Sequence, residues 1–205
     1  MDWRSALLER ILSAVGAGVD WNQLREKDLD TRTMLDLARE ALSATRSALA
    51  ADAYAATQSV RVVINDRLDI ALASGAHGVH LGEASLPVSE AVRAKVQTAR
   101  ANFVVGVSCH SLGAAIAAAR DGADYVFFGP VFATPSKAAF GPPQGLAKLA
   151  EVCRAVAVPV LAIGGVTAEN AVPCLDAGAT GIAAIRLFQQ GADLPAALSK
   201  LRQHL

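Results

Sequence analysis

The sequence predicts a parallel α/β fold, a TIM (β/α)8 barrel with or without its first strand, on three observations. Seven short apolar runs rich in β-branched residues alternate with helical patterns, as repeated βα units do. Polar residues cluster just after nearly every run, around Arg25, Asn65, Gly82, Ser108, Thr134 and Gly164, the arrangement expected of loops facing one centre. An open doubly wound sheet also fits such alternation, but no Gly-rich dinucleotide fingerprint follows an early run.

A local phrase marks the repeated unit: a glycine after a helical pattern, one to three residues, then an apolar strand. It stands as Gly18-Val-Asp-Trp-Asn-Gln-Leu24, Gly75-Ala-His-Gly-Val-His-Leu81, Gly122-Ala-Asp-Tyr-Val-Phe-Phe128 and Gly178-Ala-Thr-Gly-Ile-Ala-Ala-Ile185. Each glycine suits a left-handed helix C-cap. Between the copies, strands are expected over 60–64, 103–107 and 158–163. The Tyr125-Val-Phe-Phe128 run has no polar face, which suits a parallel sheet covered on both sides.

At the start, Leu7, Leu8, Ile11, Leu12 and Val15 recur at helical spacing, so the apolar opening reads as an amphipathic helix rather than a secretory segment. Further helices are expected near 31–49, 67–74, 86–97, 111–120, 144–156, 168–177 and 194–203, with Thr31, Ser85 before Pro87, Ser111 and Thr167 as caps. Pro173 falls inside the 168–177 helix, where it costs up to ~3 kcal/mol or shortens the element. The chain opens with a helix where a barrel needs a strand, and an unclosed barrel exposes two sheet edges.

The 205 residues suffice for one sizeable core, and no Pro/Gly/Ser-rich linker divides them, so 1–205 is expected to be a single domain. With 19 basic and 19 acidic residues, nothing global points to nucleic acid or an anionic membrane surface. No uncharged stretch reaches the ~18 residues of a spanning helix. Cys109, Cys153 and Cys174 are odd in number and lack Cys-x-x-Cys spacing, which fits a reducing cytoplasm better than a disulfide framework. The sequence leaves a homo-oligomer open.

The chemistry gathers after the strands. Beyond Gly129-Pro130 the apolar run gives way to Thr134, Ser136 and Lys137, hydroxyls and an ammonium that suit an anionic ligand, phosphate first. Arg25 and Lys27, at i and i+2, emerge on one side of a strand end; the alternative is a solvated turn paired with Glu26 and Asp28. Asn65-Asp66 is either a binding pair or a cap of the next helix, and capping is itself compatible with phosphate binding. His110 follows Ser108 at a strand end and is either an acid/base group or a histidine packed over the next helix. His77 and His80, at i and i+3, point to opposite faces and are read as structural.

The motifs Gln23-Leu-Arg-Glu-Lys27, Ile64-Asn-Asp-Arg67, Gly78-Val-His-Leu-Gly82, Gly106-Val-Ser-Cys-His110, Gly129-Pro-Val-Phe-Ala-Thr-Pro-Ser-Lys137 and Ala162-Ile-Gly-Gly165 run in order. Together they resemble the thiamine phosphate synthase/TenI family, from about Gly18 to Phe188. The resemblance implies a TIM barrel whose synthase members are transferases joining an aminopyrimidine methyl diphosphate to a thiazole phosphate with loss of pyrophosphate. It implies that Gln23, Arg25, Lys27, Asn65, Ser108 and Lys137 hold the pyrimidine diphosphate and that Asp66 ligates Mg2+. Thr134, Ser136 and the Gly165 backbone would take the thiazole phosphate, and Ser108, His110 and Lys137 would be the catalytic group.

Two positions depart from the family pattern. Ser85 stands where synthases carry a second magnesium aspartate, and a hydroxyl is a poor ligand for a hard dication. Arg186 stands where they carry a small hydroxyl residue; its guanidinium suits a phosphate or points outward. A TenI-like, metal-independent thiazole tautomerase with His110 as acid/base remains an alternative, as does a catalytically silent barrel that binds a precursor.

Overall fold

The computed structural model describes residues 2–51, 59–134, 142–190 and 194–204. Its first compact unit spans 1–80 and 101–103, and its second 81–100 and 104–205. Seven strands, paired in parallel and alternating with helices, give a TIM-like α/β fold among the described residues.

The first unit opens on α1 (Trp3–Ala17), whose N-terminus is capped by Asp2 accepting from the Ser5 amide at 2.9 Å. Ile11, Ala14 and Val15 are its buried face; of the five residues that the helical spacing picks out, Ile11 and Val15 are buried, while Leu12 is 37% exposed. The chain continues through β1 (Trp21–Leu24), α2 (Thr31–Ala51), β2 (Arg61–Asn65), α3 (Leu68–Ser74) and β3 (Gly78–Leu81). β1 pairs with β2 from Trp21↔Arg61 to Leu24↔Ile64, and β2 pairs with β3 from Val63↔Gly78 to Asn65↔His80. Met34, Leu37, Ala38, Ala41 and Leu42 form one apolar stripe of α2 and are buried with Val62, Val63 and Ile64 of β2.

The second unit carries α4 (Val88–Gln97), β4 (Val104–Cys109), α5 (Leu112–Arg120), β5 (Tyr125–Phe128), α6 (Gly145–Ala155), β6 (Val160–Ile163), α7 (Ala171–Asp176), β7 (Gly181–Ala183), α8 (Arg186–Gln190) and α9 (Leu194–Arg202). β4, β5, β6 and β7 pair in that order, and all four residues of β5 are buried, as a doubly covered strand requires. Asp124 accepts from the Val105 amide at 2.7 Å and from Lys95 Nζ at 2.9 Å, tying α4 to the foot of β5.

The glycine phrase is real: Gly18, Gly75, Gly122 and Gly178 all have φ between 81° and 98°. Other expectations need correction. β2 and β4 run on to Asn65 and Cys109, so Asn65 and Ser108 sit on strand ends rather than in loops. Asp30, not Thr31, caps α2, because its two carboxylate oxygens take the Arg32 and Thr33 amides and the Thr33 hydroxyl at once. Ser111 caps α5 as expected, through the Ala114 amide at 3.1 Å. Ser85 instead turns its hydroxyl to the Gly82 amide, at 3.0 Å, and α4 starts after Pro87 without a side-chain cap. α7 begins at Ala171 rather than 168, which places Pro173 in its first turn, where the missing N–H is tolerated, and leaves Thr167 outside it. α8 was not expected: the polar Arg186 opens it directly after β7.

Candidate functional site

In the first unit, three of the residues singled out by sequence form a hydrogen-bonded run. Gln23, next to last in β1, donates from Nε2 to Asn65 Oδ1 at 3.3 Å, and Asn65, last in β2, donates from Nδ2 to Asp66 Oδ2 at 2.8 Å. The register Gln23↔Val63 and Leu24↔Ile64 brings these strand tips together. Asp66 then turns the chain at φ 59°, a left-handed conformation that short polar side chains tolerate, and its amide donates to the His80 carbonyl at 2.8 Å.

Arg67 grips Asp69 through Nε at 2.9 Å and Nη2 at 2.7 Å and reaches Thr31 Oγ1 at 3.0 Å, so it props the turn. That pairing holds the Asp69 carboxyl below its ordinary range. Arg25 and Lys27 are exposed in the loop beyond β1; the strand stops at Leu24, so strand alternation does not orient them.

The two histidines near β3 are built into the fold. His80 is 2% exposed, and burial pushes its imidazole down to about 3, against the opposing pull of the Asp66 charge. His77 is half-buried, its Nδ1 accepting from the Val62 amide at 3.0 Å, and burial lowers it too.

In the second unit, half-buried Ser108 and His110 flank buried Cys109 at the end of β4. Burial, helped by the Glu83 charge, pushes the Cys109 thiol up to about 12, so it stays protonated at neutral pH. The His110 Nδ1 lies in hydrogen-bond contact with the Gly129 carbonyl. A carbonyl only accepts, so Nδ1 carries the proton and Nε2 is the atom left for proton exchange.

A second cluster forms where β5, β6 and β7 end. The segment after β5 is pinned to the end of β6, with the Val131 amide on the Ile163 carbonyl and the Phe132 amide on the Gly164 carbonyl, each at 2.9 Å. Gly165, at φ 68°, lies so close beneath this segment that a Cβ there would sit 2.6 Å from the Ala133 carbonyl oxygen. Arg186, the first residue of α8, donates from Nη2 to Thr134 Oγ1 at 3.4 Å and has no carboxylate partner among the described residues. Thr134, Gly165 and Arg186 are thus gathered, whereas Ser136 and Lys137 lie outside the described residues.

Sequence reasoning passed over Asn170. Its Nδ2 donates to the Gly165 carbonyl at 3.0 Å and its Oδ1 accepts from the Thr167 amide at 2.8 Å. The only sequence signal was an Asn five residues beyond a Gly-Gly pair, where a turn-forming amide is common.

Among the described residues no group of three or more His, Cys, Asp or Glu side chains gathers as an all-protein metal cage. Mg2+ characteristically uses one or two carboxylates and completes its shell with water and substrate phosphates, and the exposed Asp66 carboxylate, oriented by Asn65, fits that mode. Ser85 supplies no carboxylate.

Fold and loops define a class: a TIM-like parallel α/β protein with an amide and carboxylate run at the ends of β1 and β2 in its first unit and, separately, a hydroxyl and guanidinium pair beyond β5 and β7 in its second. The chain belongs to the thiamine monophosphate synthase (TMP-TENI) family, whose model matches residues 1–188. It is 42% identical over 192 residues to a thiamine-phosphate synthase of Methanoculleus marisnigri, covering 94% of this chain and 84% of that one. It is 42% identical over 180 residues to a thiamine-phosphate synthase of Roseiflexus castenholzii, covering 88% and 73%. A solved thiamine phosphate pyrophosphorylase from Pyrococcus furiosus superposes with a TM-score of 0.78 at 30% identity, covering 96% of this chain and 88% of that one.

Proposed function

We propose that the protein is a transferase of thiamine biosynthesis, condensing an aminopyrimidine methyl diphosphate with a thiazole phosphate to give thiamine phosphate and pyrophosphate. The observation that carries the reading is the Gln23–Asn65–Asp66 run, because it aligns a carboxylate and two amides at strand tips, a set that a diphosphate with its metal uses and a monophosphate isomerase does not need. Gln23, Arg25, Lys27, Asn65, Ser108 and Lys137 bind the diphosphate, and Thr134, Ser136, Gly165 and Arg186 the thiazole phosphate. Mg2+ held by Asp66 would supply positive charge to the leaving diphosphate.

The chain's own part is electrostatic. As the bond from the methylene carbon to the diphosphate oxygen breaks, negative charge collects on the leaving group. Fixed guanidinium, ammonium and hydroxyl donors stabilise that charge more than they stabilise the ground state. Residues 1–205 act as one catalytic domain in the cytoplasm, consistent with three free cysteines and with no described helix long and apolar enough to cross a membrane.

Incubation with both phosphorylated precursors and Mg2+ is expected to yield thiamine phosphate, and Arg25→Ala or Lys137→Ala to abolish the yield. No product at excess protein sinks the reading.

One observation favours a second reading, thiazole tautomerisation: His110 is fixed through Nδ1 with Nε2 left to exchange a proton. Metal-independent isomerisation lost in His110→Ala would support it, and full retention in that variant would remove it.

A further inference from the structure

We propose that Asn170 is a positioning residue that presets the backbone around Gly165 as an anion cradle, setting affinity for the phosphate of the thiazole substrate without touching that substrate. The inference rests on the thiazole phosphate binding at Thr134, Gly165 and Arg186.

The geometry follows from two peptide planes. In a trans peptide the C=O and N–H point in opposite directions, so fixing the carbonyl aims the amide. The Gly164 carbonyl is held by the Phe132 amide at 2.9 Å, which aims the Gly165 N–H the other way. The Gly165 carbonyl is held by Asn170 Nδ2 at 3.0 Å, which does the same for the Val166 N–H. Neither the Gly165 nor the Val166 amide donates to an acceptor among the described residues. Two successive unspent backbone donors in a left-handed glycine turn, at φ 91° and 68°, make an anion-binding concavity.

Among the described residues, the Asn170 side chain ties the two ends of this turn together. Its planar carboxamide spans the loop, accepting from the Thr167 amide at 2.8 Å with one arm and donating to Gly165 with the other. Without the donating arm the Gly165–Val166 peptide loses its tether and rotates toward conformations that a glycine readily visits. The Arg186 guanidinium stays at Thr134, 3.4 Å away, while the backbone donors of the cradle are no longer aligned.

The test compares Asn170→Ala, which removes both arms, with Asn170→Asp, which keeps the size and the Thr167 acceptor but cannot donate to Gly165. KM is measured separately for each substrate, and binding of thiazole phosphate, its dephosphorylated alcohol and inorganic phosphate is read by calorimetry without turnover. Both variants are expected to weaken thiazole phosphate binding about tenfold, the loss of one well-aligned hydrogen bond, with KM for the pyrimidine diphosphate within about twofold and binding of the alcohol unchanged. Unchanged thiazole phosphate affinity in Asn170→Asp overturns the role, as does an equal loss toward both substrates, which marks a purely structural residue. The calorimetric arm still reads the cradle if the wild-type protein makes no thiamine phosphate, so failure of the inference and failure of the proposed function are told apart.

Discussion

Acidification should weaken the fold through His80 well before carboxylates protonate. The unfolded chain protonates this imidazole as pH falls through about 6.5, whereas the folded chain, with the ring 2% exposed, resists until about 3. Between those values the unfolded state alone binds the proton, so the contribution of His80 is complete above about pH 6.5 and shrinks as pH falls. Integrating from pH 7 to pH 4.5 gives a loss of about 2.5 kcal/mol, a sizeable fraction of the 5–15 kcal/mol that holds a domain together. Urea denaturation at those two pH values, on the wild-type protein and on His80→Gln, isolates the effect. Glutamine does not titrate, while His77, which is lowered in the same direction, remains in both proteins. The wild type should lose about 2.5 kcal/mol more than the variant between the two conditions. Equal losses would show that His80 is protonated in the folded state at ordinary acidity and would refute the reasoning.

Four substitutions at three positions follow from the packing and hydrogen bonds. Gly106→Ala would place a Cβ 2.0 Å from Cζ of the buried Tyr125 ring, so the ring or the strand must shift within the core, at a cost of about 3 kcal/mol in urea denaturation. Asp124→Ala removes the acceptor for the Val105 amide and for Lys95, a loss of about 2 kcal/mol, and Asp124→Asn, which still accepts from the amide, should lose less in the same melts. Asn65→Ala unlinks Gln23 from Asp66 and should raise KM for the pyrimidine diphosphate about tenfold while leaving KM for the thiazole phosphate within about twofold; a change equal for both substrates counts against the assignment.

The alternation of elements was legible because the code for it is local. A glycine after a helical stripe has one conformation that ends the helix, and Gly18, Gly75, Gly122 and Gly178 all adopt it. The limits of elements were less legible where two neighbouring residues offer the same bond. Both Asp30 and Thr31 suit an N-cap, and the choice falls to the one whose two oxygens satisfy three donors together. Asn65 and Ser108 read as loop residues because they are polar, yet parallel pairing with His80 and Phe127 carries both strands through them. Asn170 was missed for a different reason: its partners are the Gly165 carbonyl and the Thr167 amide, and no residue type in the sequence announces which backbone group a side-chain amide meets.

The two clusters share one chemical device. Asn65 accepts from Gln23 and donates to Asp66; Asn170 accepts from the Thr167 amide and donates to the Gly165 carbonyl. A carboxamide carries a donor and an acceptor in one rigid plane, so a single side chain orients two neighbours. Aspartate at either position keeps the shape but loses the donor. At Asn65 it would set two carboxylates side by side, and like charges so close cannot both stay ionised at ordinary cost. At Asn170 it would turn a tether on the Gly165 carbonyl into a repulsion between two oxygens. The asparagines therefore fix the groups that would meet charge, a carboxylate in one unit and a run of backbone amides in the other, and neither asparagine can be exchanged for its isostere without misaligning its neighbour.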